Sequence, residues 1–232
     1  VLVGLLTIFQ FAIQRLVLEP SFEDLEVRQA QEDVQRIVEA LDNDAAHLRG
    51  LCHDWASWDD TYDYVVSRDP VYAEGNLQVE TLDNNQLTVI YIVGVDGEVV
   101  ARLMREPDEG EECSVLTELP VGHLPLDDPL HATDSLGAGL SGVFVTREGP
   151  MLLASRPIFT SPGEGPVRGT LVMGRLIDAG VLQRFRDQTK VNFALECLPM
   201  GKLGAARGAE VERLAAESDA EITALDERMN EA

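Results

Sequence analysis

From Phe22 to Trp55 the apolar residues Val34, Ile37, Leu41, Ala45, Leu48, Cys52 and Trp55 recur every three or four positions, with Asp, Glu, Gln and Arg between them. This pattern predicts one long amphipathic helix. Ser57 followed by Asp60 has capping-box spacing, with the shorter acid in place of the usual Glu, and predicts a second helix that places Trp58, Tyr62 and Val65 or Val66 on one face. Asp69-Pro70 stops it, and Val71 to Gln86 reads as a further short helical or irregular passage. After Leu87 the period changes. Thr88 to Val95 is rich in β-branched residues, Asp96-Gly97 is a tight-turn signal, and Glu98 to Leu103 returns as the partner strand of a hairpin. Arg105 to Ala138 is full of proline, glycine and acid with no sustained period, and predicts an irregular excursion over the sheet. Strands are expected again at Leu140 to Thr146, Met151 to Ile158 and Gly169 to Ile177. A helix at about 178–188, a strand at about 191–198 and a charged, weakly helical stretch at 210–229 follow.

Two helices, a hairpin, an excursion and further antiparallel strands make an α+β layout, a PAS- or Cache-like antiparallel sheet with the long N-terminal helix and the short second helix on one face. The whole chain, 232 residues and 45% hydrophobic, can bury one core of ordinary size. Its net charge of −23, from 41 acids against 18 bases, repels phosphate backbones and argues against nucleic acid as a partner. Val1 to Leu18 is largely apolar and reads as the end of a transmembrane helix; a signal-peptide apolar region or an amphipathic helix are the alternatives. The acids Glu19, Glu23, Asp24 and Glu26 follow it, without the basic excess of a cytoplasmic flank, so the body is expected outside the cytoplasm. Cys52, Cys113 and Cys197 lie far apart with no CxxC pair; one disulfide is open to them, and small buried hydrophobes are the plainer reading.

Candidate chemistry concentrates at Asp54 to Val65, where Trp55, Trp58, Tyr62 and Tyr64 alternate with Asp54, Asp59, Asp60 and Asp63, while aromatics make only 6% of the chain. Such a cluster is either a core corner or a binding wall. Arg156 and Arg175 fall inside apolar strands, where an unpaired guanidinium is costly, so each needs a carboxylate partner such as Asp59 or Asp60, or an anionic ligand. Trp55, Trp58, Asp59, Asp60, Tyr62, Arg156 and Arg175, with Tyr91 of the first strand, are the ligand-binding candidates. His47 and His53 are six apart, on different faces of a helix, which argues against a metal site there. No GxSxG or SxxK is present, the Gly163-Glu164-Gly165-Pro166 turn lacks the Lys-Ser/Thr of a phosphate cradle, and neither a catalytic residue nor a cofactor is expected.

The Trp58-Asp59-Asp60-Thr61-Tyr62 run after a long first helix resembles the signature of the extracytoplasmic CHASE sensor domain of the fourth type. Asn76-Leu77, the Asp96-Gly97 hairpin, Arg156-Pro157-Ile158, Gly165-Pro166, Gly169 and Met173-Gly174-Arg175 follow in the order of that family's later signatures. The resemblance implies a non-enzymatic sensor of an inner-membrane bacterial receptor, periplasmic or extracellular, that binds an unknown small molecule. It also implies an output elsewhere in the receptor, such as a histidine kinase, a diguanylate cyclase or a phosphodiesterase. On this reading 1–18 is a truncated membrane helix, 19–198 the sensor domain and 199–232 its helical and incomplete C-terminal part. A homodimer through the long helix is expected, with Val34, Ile37, Leu41 and Leu48 as candidate contacts. A ligand-free dimerisation or spacer domain is the rival reading, and a secreted hydrolase using Asp59 or Ser57 a third.

Overall fold

The computed structural model describes residues 19–105, 119–131, 139–163 and 165–195, and within α1 the side chains from Leu25 onward. The long helix, α1, runs Glu19–Ala56. Three short helices follow: α2 (Asp59–Ser67), α3 (Pro70–Asn76) and α4 (Val79–Asn85). Arg68, in the left-handed region at φ 55, ends α2, and the Asp69 side chain accepts from Val71 N at 2.9 Å to open α3. Asp69-Pro70 therefore stops one helix and starts the next. The expected capping box at Ser57 and Asp60 is not formed. Trp58 is the N-cap of α2 with no side-chain cap bond, because the Ser57 hydroxyl donates back to His53 O at 2.8 Å instead.

Among the described residues five antiparallel strands form one sheet: β1 (Val89–Gly94), β2 (Val99–Met104), β3 (Ser141–Thr146), β4 (Gly149–Ile158) and β5 (Gly169–Leu176), in the spatial order β2-β1-β5-β4-β3. The β1–β2 hairpin is closed at Gly97, whose φ of +84 is the conformation the Asp96-Gly97 signal predicts. Its register slips between Ile92 and Val93, so Val100 is an extra residue on β2; the bulge keeps Arg102 paired with Tyr91. A further helix, α5 (Ala179–Thr189), opens on an Asp178 side chain that accepts from Val181 N at 2.8 Å.

The sheet is covered on both faces, and its alternation sorts the core into two clusters. Ile90, Ile92, Leu152, Ala154, Ile158, Leu171 and Met173 point toward α1, meeting Ala40, Leu48, Cys52 and Trp55. Val89, Tyr91, Val93, Met151, Leu153 and Val172 point the other way, under Leu119, Leu124 and Leu130 of the excursion. The predicted strand at 191–198 is absent over its described part: residues 191–195 have no regular structure. The Arg186 fork takes the Phe193 carbonyl, Nε at 2.9 Å and Nη2 at 2.7 Å, and folds the segment back on α5 with Phe193 and Leu195 against the core. Cys52 is a free, buried thiol, while Cys113, Cys197 and the stretches 1–18 and 199–232 lie outside the described residues. Among the described residues no helix is long and apolar enough to cross a membrane.

Candidate functional site

The aromatic cluster is the corner where α1 turns into α2. Trp55 is buried, and Trp58 stacks on it with ring centroids 4.9 Å apart and planes 22° apart. Tyr62 is buried as expected, but Trp58 is 39% exposed, because it stands before the first turn of α2 rather than on the buried face of the helix. The polar groups here are taken up in holding the β4–β5 connection. Asp59 Oδ1 accepts from Ser161 N at 2.9 Å, Ser161 Oγ donates to Ser57 O at 3.0 Å, and Tyr62 OH donates to Pro166 O at 3.1 Å. The Arg168 guanidinium lies 3.7 Å over the Tyr62 ring and bonds Asp63 Oδ1 at 2.8 Å and Tyr62 O at 3.0 Å. What remains open is a shallow cleft of about 510 Å³ lined by Leu51, His53, Asp54, Trp55, Ser57, Trp58 and Ser161.

The two strand arginines have other surroundings than the sequence predicts. Arg175 is buried and pairs with Asp44 of α1 at 2.6 Å, not with Asp59 or Asp60, and its remaining donors reach Gln86 O at 2.7 Å and Asn85 O at 3.1 Å. It is a tie between helix, sheet and the end of α4. Arg156 makes no ion pair with any described residue, and its Nε is buried without a partner among them; the carboxylate of the aromatic segment that finds a guanidinium is Asp63, and the guanidinium is Arg168. Arg156 lies close enough to Cys52 to oppose the effect of burial, which pushes that thiol up to about 12.

Tyr91 stands apart from the other candidates. It belongs to the opposite face, fully buried, with its hydroxyl donating to Pro120 O at 2.7 Å. Burial pushes it up to about 12, against a lowering by Arg102 and with a further raising by Asp128, so both charges lie near. Arg102, which sequence reasoning passed over, is the register partner of Tyr91, and its Nε and Nη2 are buried with no hydrogen-bond partner among the described residues. The available signal was an arginine in a run that otherwise reads Val, Val, Ala, Leu and Met. The same face carries an apolar cavity of about 230 Å³, lined by Leu119, Asp128, Pro129, Leu130, Phe144, Val145, Thr146, Met151 and Leu153.

The five-stranded antiparallel sheet, with the long N-terminal helix on one face and an irregular cover on the other, is a fold shared with a solved histidine-kinase sensor domain. The solved sensor domain of the V. cholerae histidine kinase DctB matches it with a TM-score of 0.50 over 83% of this chain and 77% of that one; at 10% identity the likeness is one of fold. The chain belongs to the CHASE4 domain family, whose model matches residues 40–196. It is also 30% identical over 158 residues to the methanogenesis regulatory histidine kinase FilI of Methanothrix harundinacea (strain 6Ac), covering 68% of this chain and 18% of that protein. The chain thus spans under a fifth of the curated relative it matches.

Proposed function

We propose that the chain is the extracytoplasmic ligand-sensing module of a membrane-bound receptor and passes a displacement along α1 to a cytoplasmic output. The observation that carries this reading is the division of α1. At 1.5 Å per residue the helix is about 57 Å long. From Ala40 onward one face of it, with Ala40, Leu48, Cys52 and Trp55, is buried against the sheet, whereas Leu25, Val27 and Val34 on the first half are exposed. A helix anchored at one end and free at the other converts a change in the domain into a movement elsewhere. The largely apolar stretch before it supports a membrane anchor, and the kinase relative supports a histidine-kinase output. The exposed apolar positions support a homodimer through the first half of α1. Val34 and the half-buried Ile37 are its contacts; Leu41, packed against the core, and Leu48, 0% exposed, belong to the domain instead.

Release of bound small molecules tests the sensing role. Chain purified without additives is denatured, and the freed compounds are identified by mass spectrometry. A single compound near one equivalent per chain is expected. A folded chain that releases nothing, and whose unfolding temperature no metabolite extract raises, would point to the ligand-free dimerisation domain.

A further inference from the structure

We infer that the cleft at the α1–α2 corner binds a small organic cation between the exposed indole of Trp58 and the carboxylate of Asp54, an inference that rests on the sensing role proposed above and names the class of ligand. Trp58 is a large apolar side chain left 39% exposed, yet it is held in place. Its ring stacks on the buried Trp55 with centroids 4.9 Å apart, its N–H donates to Trp55 O at 3.3 Å, and its carbonyl accepts from Tyr62 N at 2.9 Å. An aromatic ring fixed in this way binds with little further loss of conformational freedom. Asp54 lines the same cleft and is exposed, and its carboxylate takes no hydrogen bond or ion pair among the described residues. Asp59 and Asp63 of the same segment are engaged with Ser161 N and Arg168, and neither lines the cleft.

The same corner shows the arrangement filled. Arg168 lies 3.7 Å over the Tyr62 ring and bonds Asp63, so that a ring and a carboxylate share one cation. Trp58 and Asp54 repeat the ring and the carboxylate, and no cation of the described residues lies over Trp58. A cation from outside completes the set. An organic ammonium suits it better than a metal ion. A hard metal ion takes about six oxygens or more, and among the described residues no three His, Cys, Asp or Glu side chains are grouped to hold one. A weakly hydrated alkylammonium needs only an aromatic face and an acid. The cleft, about 510 Å³, has room for such a group, no lysine or arginine lines it, and the net charge of −23 draws cations to the surface.

Tetramethylammonium carries the recognised group with nothing else, and tert-butanol is a neutral molecule of similar shape. Trp55 and Trp58 are the two tryptophans of the chain, so indole emission reports on this corner alone. Emission of the full chain, excited beyond the tyrosine band, is titrated with tetramethylammonium chloride, with tert-butanol in sodium chloride, and with sodium chloride alone, at equal ionic strength. The parent should show a saturable change, half complete at about 5 mM tetramethylammonium, and none in the other two. Asp54→Asn, at an exposed position, should keep the parent's unfolding temperature and raise the half-saturation at least about fivefold. Trp58→Leu should abolish saturation transfer in NMR from the protein to the methyl protons of tetramethylammonium, whereas Trp58→Phe, which keeps a weaker aromatic face, should retain part of it. An equal change in tert-butanol or sodium chloride would overturn the assignment, as would an unchanged half-saturation in Asp54→Asn or undiminished transfer in Trp58→Leu. A chain that releases a neutral or anionic compound and ignores tetramethylammonium would remove the cation and leave the sensing role standing.

Discussion

Arg175 keeps its charge inside the helix-facing row of β5 because Asp44 reaches it from the middle of α1, with Arg184 of α5 adding a second contact to the same carboxylate at 3.3 Å. Asp44→Ala leaves that guanidinium with carbonyls alone and should cost about 3 kcal/mol in urea-induced unfolding, whereas Asp44→Asn, which keeps an acceptor, should cost less than half of that. Equal stability of Asp44→Ala and the parent would show that the tie is not used. At this scale the sequence was partly legible. That a strand arginine needs an acid follows from charge and burial, but which acid does not. Asp44 and Arg175 are brought together only when α1 lies across the sheet, and no spacing along the chain encodes that. The aromatic cluster was visible for its density, and Trp58 still proved half outside, since one residue's shift in the start of α2 decides which side of the corner a ring takes.

At the scale of elements, the periods were sufficient wherever each element packs one face against the core. The 3.6 period of α1, the strands expected at β3 to β5 and the Asp96-Gly97 turn all appear in place. The 191–195 segment failed because its apolar residues satisfy the core without a neighbouring strand, once Arg186 holds Phe193 O. Pairing between distant strands rests on one small residue that the sequence marks but does not explain. A Cβ on Gly169 would stand 2.1 Å from Val93 O, across the β1–β5 ladder. Gly169→Ala must therefore push the central strands apart, and should lower stability by about 2 kcal/mol or more in the same unfolding assay. Gly142→Ala on β3, where a Cβ meets nothing within 4 Å, serves as the control and should change little.

For the whole molecule, α1 serves two partners: the sheet along its second half and, in the proposed receptor, another copy of itself along its first. The division should be readable position by position. With the native cysteines replaced, single cysteines are placed along α1 in the receptor as it sits in membranes, and disulfides between copies are measured after mild oxidation. Val34→Cys should crosslink efficiently and Ile37→Cys less so, whereas Trp55→Cys, whose position faces the domain's own core, should not crosslink. Crosslinking at Trp55 with none at Val34, or none anywhere along α1, would contradict a sensor that signals through this helix.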